Sequence, residues 1–144
     1  MMAVVTRTPV ETLRQRENKS NPVELVGATP RTLAQTLGTE WGRNLIAEDI
    51  WIRHLDSRLS DIGKRIGIRG LVISDVRFQN EVDYVHSLGG EVWAVQRPDN
   101  PYNIGTSHSS ELPVLGVDNL IVNDKSLEDL RKLVLLEFVD YLGV

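Results

Sequence analysis

The apolar pattern changes period within one run of the chain, GLVISDVRFQNEVD, residues 70–83. Leu71, Val72 and Ile73 form a continuous apolar stretch that closes on Ser74 and Asp75. Such a stretch, rich in β-branched residues and bounded by polar ones, predicts a strand buried on both faces. Beyond it Val82, Val85 and Leu88 recur three apart, which predicts a helix capped by Asn80. Gly89-Gly90 supplies a left-handed stop, and Val92, Trp93, Ala94 and Val95 predict a second strand over residues 91–96. Strand, helix and strand in so short a span make a βαβ unit, hence a parallel pair with a right-handed crossover. A third short strand follows over residues 120–122. Ser126 with Asp129 then reads as a capping box for a last helix that turns Leu127, Leu130, Val134, Phe138 and Tyr141 inward.

The first half of the chain is more helical. Residues 2–6 are largely apolar and predict a short extra strand. Pro9 suits the first turn of a polar helix reaching residue 18, with Thr8 as its cap, and residues 18–27 read as a loop broken by Asn21-Pro22. Thr29-Pro30 pairs a cap with a proline at the first helical position. Leu33, Leu37 and Trp41 lie four apart on one face of that helix, with Gln35, Thr39, Gly42 and Arg43 spread over the others. Gly38 and Gly42 fall inside this pattern, each costing about 1 kcal/mol relative to alanine. Two explanations stand side by side: close approach of a flat ligand or another backbone, and a frayed or kinked helix. A second helix over residues 48–65 carries Trp51, Leu55, Leu59, Ile62 and Ile66 as an apolar stripe and reads as structural.

Three βα repeats behind leading helices predict a three-layer α/β fold with a mostly parallel sheet and flanking helices. The 144 residues suit one domain, with residues 1–28 an irregular or helical N-terminal segment. Composition narrows the function. A net charge of −4 offers no broad basic face, so DNA binding is not expected. There is no cysteine, and His54, His86 and His108 are not spaced as a ligand pair, so no protein-held metal site is expected. No apolar run approaches the roughly 20 residues of a membrane span, and the start lacks the apolar core of a secretory signal. The expected location is cytoplasmic, which for a virus-encoded protein means the host cytosol.

The polar residues gather at predicted strand ends, where open α/β sheets place ligand chemistry. Asp75 and Arg77 follow one strand, Arg97 the next, and Asn123 and Asp124 the third. Arg43, Arg77 and Arg97 together suit a phosphorylated ligand, since guanidinium forks bind phosphate oxygens bidentately. Asp75 there can hold Mg²⁺ through water or position a phosphate oxygen. Residues 99–110, with Pro101, Gly105, Thr106, Ser107, His108, Ser109 and Ser110, have the composition of a mobile lid or a binding loop.

Five blocks in fixed order carry a family resemblance: TPRTLAQTLGTEWGRNLI, ISDVRFQNEVD, the Arg97-Pro98 turn, HSSE, and NDKSLEDL. They closely resemble the bacteriophage deoxynucleoside monophosphate kinase family, from about residue 16 to the C-terminus. The resemblance implies a P-loop nucleoside-monophosphate-kinase-like fold and transfer of the ATP γ-phosphate to a deoxynucleoside monophosphate, with Mg²⁺ as cofactor of an active enzyme. It implies that Gln35, Thr39, Trp41 and Arg43 face the monophosphate with Arg77 nearby. It also makes residues 97–111, including His108 and Glu111, the lid-like part over the phosphates, and Asp75, Arg77 and Arg97 the catalytic set.

One departure changes the expectation. Members of the family begin with a strand, a G-x-x-x-x-G-K-[ST] loop and a helix, and this sequence contains no such motif. That loop surrounds the β-phosphate with backbone N–H groups and brings a lysine to the β and γ oxygens. The expected activity is therefore monophosphate binding with the ordinary ATP site degenerate or absent. The alternative is an inactive kinase-like protein that binds and regulates a host protein. In P-loop kinases the strand before that loop is central. Residues 2–5 are thus expected to replace it in part, or a second copy to cover the gap as a homodimer.

Overall fold

The computed structural model describes residues 2–62, 70–98 and 116–142. The chain divides into two compact units, Met1–Ile68 and Arg69–Val144.

In the first unit α1 (Met2–Thr6), α2 (Val10–Arg14) and a 3-10 turn (Arg16–Asn18) lead to α3 (Pro30–Gln35), a π-helix (Thr36–Ile46) and α4 (Ile50–Ile62). The helix α1 corrects the expectation of a strand here, and with it the idea that residues 2–5 replace a missing sheet member. Among the described residues no strand takes up this backbone, the run bonds within itself, and the Thr6 hydroxyl donates to the Met2 carbonyl at 2.9 Å. Pro9 occupies the cap position of α2, not its first turn, and its carbonyl accepts from the Leu13 N–H at 3.1 Å. Thr8 does not cap, because its hydroxyl donates to the Thr6 carbonyl. α2 stops at Arg14, well short of residue 18, since Gln15 turns to extended backbone. A single antiparallel bridge, Val23 to Ala28, closes the next turn, with Gly27 at φ +63°.

The start of α3 follows the sequence closely: the Thr32 N–H donates to Thr29 Oγ1 at 3.1 Å and Pro30 takes the first turn. The continuation does not. From Thr36 the backbone widens into eleven residues of π-helix, so a four-residue stripe no longer stays on one face. The buried residues of this segment are Thr39, Gly42 and Arg43, whereas Trp41 is exposed. Of the face expected to be apolar, Leu33 and Leu37 are half-buried and only Trp41 is exposed.

The second unit holds α5 (Gln79–Ser87), β1 (Trp93–Gln96), β2 (Asn119–Val122) and α6 (Leu127–Leu142). β1 and β2 pair in parallel, with Trp93 opposite Asn119 and Gln96 opposite Val122. This confirms two of the three predicted strands. Residues 71–77 form no ladder among the described residues. A strand buried on both faces needs a neighbour along its edge and a layer on each side, yet Leu71 and Val72 are exposed, Val72 by 82%. What stands is a mixed α/β arrangement with a small parallel sheet, compatible with a kinase-like fold; a three-layer sheet goes beyond it.

α5 starts two residues earlier than expected, with Phe78 and not Asn80 as its cap, and ends at Ser87 ahead of Gly89, φ +74°, with the Gly90 N–H reaching back to the Val85 carbonyl. Val82, Val92 and Ile121 form the buried apolar interior of this unit among the described residues. Ser126 and Asp129 make the predicted capping box, with the Asp129 N–H on Ser126 Oγ at 3.2 Å and the Ser126 N–H on Asp129 Oδ2 at 3.3 Å. The inward face expected of α6 is corrected: Leu127, Val134 and Phe138 are exposed, and Leu130 is half-buried. A helix apolar on nearly all sides cannot turn every such residue to one neighbour. Phe138 still meets Trp93 edge-to-face at 6.5 Å. The side chain of Tyr141 lies outside the described residues.

Candidate functional site

In the first unit the LGTEWGR segment is the π-helix itself. Gln35, the last residue of α3, is half-buried, Thr39 and Arg43 are buried, and Trp41 is exposed. The Arg43 guanidinium lies 3.8 Å from the Glu48 carboxylate, which is itself exposed. A contact of that length to a solvated partner is weak. Of the two glycines Gly42 has a visible reason, whereas a Cβ on Gly38 would meet nothing within 4 Å. The Trp51 indole of α4 donates its N–H to the Gly38 carbonyl at 2.8 Å. A Cβ on Gly42 would stand 2.8 Å from Cζ2 of the same ring. The flat group that Gly42 admits is a side chain of this chain, Trp51, which the sequence pattern places in a structural stripe.

In the second unit SDVRFQNE builds a turn ahead of α5. With no strand at residues 71–73, Asp75 and Arg77 are placed by that turn and not by a strand end. Glu81 reaches back from α5 and accepts the backbone N–H of Arg77 at 2.8 Å and of Phe78 at 3.2 Å. Its role carries half the signature of a capping box, a glutamate in the first helical turn without a hydroxyl residue at the cap. Asp75 sits at φ +75°, the left-handed region that an aspartate tolerates better than most residues. Its Oδ1 accepts from Arg77 Nε at 2.7 Å.

Arg97 is exposed directly after β1. The Asn123 N–H donates to the Gln96 carbonyl at 2.7 Å, so the parallel pair sends Arg97 and Asn123 out at the same end. Arg43 belongs to the first unit, and Arg77 and Arg97 to the second. His108 and Glu111, with most of the predicted lid over residues 97–111, lie outside the described residues. No group of three or more metal-ligating side chains stands together among the described residues.

One further constellation escaped sequence reasoning. Asp118, just before β2, accepts the Val92 N–H at 2.7 Å through Oδ2, and the same oxygen meets His86 Nε2 at 2.8 Å. The Val92 N–H, followed by His86, holds the Asp118 carboxyl below its ordinary value. The residues are 32 apart in sequence, and no local pattern announces such a pair.

Residues 7–134 match the family described as deoxynucleotide monophosphate kinase. The chain belongs to this deoxynucleotide monophosphate kinase family. It is 30% identical over 125 residues to a protein named putative deoxynucleotide monophosphate kinase from Acanthamoeba polyphaga mimivirus, an alignment covering 79% of this chain and 64% of that protein. It is 28% identical over 131 residues to the deoxynucleoside-5'-monophosphate kinase of Escherichia phage T5, covering 86% of this chain and 51% of the relative. The chain thus spans between half and two thirds of the length of these kinases. No solved structure matches it significantly. The family match runs across both the π-helix and the Asp75–Arg77 turn, and ends within α6. No helix among the described residues is long and apolar enough to cross a membrane.

Proposed function

We propose that this chain binds a deoxynucleoside monophosphate, that LGTEWGR in the first unit and SDVRFQNE in the second are each by itself a segment suited to phosphate, and that its 144 residues supply no ordinary ATP site. The observation that carries the reading is membership of the kinase family over residues 7–134, a span that contains both segments. Supporting it, Arg77 is held by one edge of its fork. Its Nε is engaged by Asp75, which pre-orients the remaining guanidinium donors for phosphate oxygens. In the other segment the buried residues Arg43 and Thr39 bring a cation and a hydroxyl to one stretch of π-helix. Positioned donors of this kind supply most of what phosphate binding needs.

Phosphoryl transfer rests on positioning and charge neutralisation around the transferred group. In P-loop enzymes the glycine-rich loop and its lysine provide these, and the sequence here contains no such loop. The reading is therefore of monophosphate binding, with Asp75 orienting Arg77 and Arg97 as a further cation for phosphate. Mg²⁺ enters such sites on the nucleotide phosphates with one or two carboxylates. Asp75, a lone exposed carboxylate beside an arginine, fits that part through a water, and the ion would supply neutralisation of phosphate charge.

The test is calorimetric titration with each deoxynucleoside monophosphate and, separately, with ATP. Saturable binding of a monophosphate and none of ATP is expected. ATP bound at a site that excludes monophosphates would overturn the reading, as would no binding of any monophosphate.

A further inference from the structure

We propose that Trp51 is a positioning residue for the monophosphate site, setting the π-helical turn that carries Thr39 and Arg43; this rests on the reading of that segment as a nucleotide site. Two independent contacts converge on one ring. The indole N–H donates to the Gly38 carbonyl at 2.8 Å, one residue before Thr39. The six-membered edge of the same ring lies where a Gly42 side chain would be, one residue before Arg43. The two glycines stand four apart, and the two buried polar residues follow each of them at the same spacing.

A π-helical stretch is weakly held by its own backbone and marks places where geometry has been adjusted for function. The indole lies against this segment at two points four residues apart, the Gly38 carbonyl and the bare Cα of Gly42, and so braces the widened turn from one side. The bond to Gly38 sets the height of the ring, and the bare Cα of Gly42 sets how near it comes. Together they determine the direction in which Thr39 and Arg43 leave the backbone. The neighbouring covering face, Leu33 and Leu37, is only half-buried and does not provide this. Trp51 itself needs no contact with nucleotide.

The experiment is a size-swap cycle on the full chain: Trp51→Phe, Gly42→Ala and the double variant, each titrated with the monophosphate that binds the wild type. Each is checked for a cooperative thermal transition. Trp51→Phe removes the donor and the Cζ2 edge, and a lost hydrogen bond of this kind weakens binding about tenfold. Gly42→Ala alone drives a methyl into the ring and should weaken binding by at least about tenfold. The double variant should recover part of the Gly42→Ala loss, because the smaller ring removes the 2.8 Å contact and leaves the Leu37 carbonyl, 3.1 Å from the added Cβ, as the remaining close neighbour. That rescue is what a purely structural role would not produce in affinity. If Gly42→Ala lacks a cooperative transition, the Trp51→Phe and double variants decide the matter. Wild-type affinity in Trp51→Phe, or losses that simply add in the double variant, would overturn the inference while leaving the proposed function standing. A wild-type chain that binds no monophosphate would overturn both.

Discussion

Arg77 donates from Nε to Oδ1 of Asp75 at 2.7 Å, and the acceptor is a residue held at φ +75°. The pair is local, two positions apart, and half solvated, so its contribution to stability is small. Its importance lies in orientation. Replacing Arg77 by alanine should weaken monophosphate binding by about 10- to 100-fold, the range of a charge-assisted hydrogen bond to phosphate, and leave the thermal transition nearly unchanged. Calorimetry beside a melting curve checks both halves. A change in melting temperature with unchanged affinity would contradict it.

The backbone at Asp75 makes a separate prediction. Glycine accepts the left-handed region freely, asparagine tolerates it, and a β-branched residue does not. Asp75→Gly and Asp75→Asn should therefore unfold in urea within about 1 kcal/mol of the parent, whereas Asp75→Val should lose about 1–3 kcal/mol. Equal losses for the valine and asparagine variants would show that the turn is not strained.

Asp118 links stability to acid. Its carboxyl is held below the ordinary value of 3.8 by the Val92 N–H and then by His86. A carboxylate whose folded-state value is depressed stabilises the fold above the unfolded value, and that contribution disappears as pH falls through the lowered one. Melting temperature should thus fall on acidification below pH 3.8 more steeply in the wild type than in Asp118→Asn. Parallel curves for the two proteins would exclude this linkage.

The capping box at α6 gives a fourth test. Ser126→Ala removes the acceptor of the Asp129 N–H and a donor to the Asp129 carboxylate, and should cost about 1 kcal/mol. The hydroxyl, with the Ser126 backbone N–H next, also holds the Asp129 carboxyl below its usual range. Carbon-detected titration of Asp129 should therefore move upward in the variant. An unmoved titration would show that the box is not formed in solution.

What the sequence made legible was what neighbouring residues decide between themselves. Thr29-Pro30, Gly89-Gly90 and Ser126 with Asp129 are local stop and start signals, and all three act as read. β1 and β2 were legible because a continuous apolar run suits a parallel pair. The failures have one physical root. Residues 71–73 and 2–6 look like strands, yet a strand exists only where another backbone accepts its hydrogen bonds, and no property of the run itself supplies that neighbour. The π-helix was hidden for a related reason. Trp51, which contacts it, stands nine positions after Gly42 in the chain, and four-residue spacing alone reads as ordinary α-helix. Of the candidate site, Asp75 with Arg77 was found together, and the buried state of Arg43 was not foreseen. Glu81 and Trp51 were missed because their work is done on backbone groups.

Val82, Val92 and Ile121 are the buried apolar side chains of the second unit among the described residues. Anything that binds only the folded form of such a unit adds to its stability by mass action. A ligand at a hundred times its dissociation constant adds about 2.7 kcal/mol, which for a unit of this size raises the melting temperature by about 10–20 °C. Heat alone then becomes a ligand detector. A panel of nucleotides screened by thermal shift would rank bases and phosphate counts directly, with no turnover required.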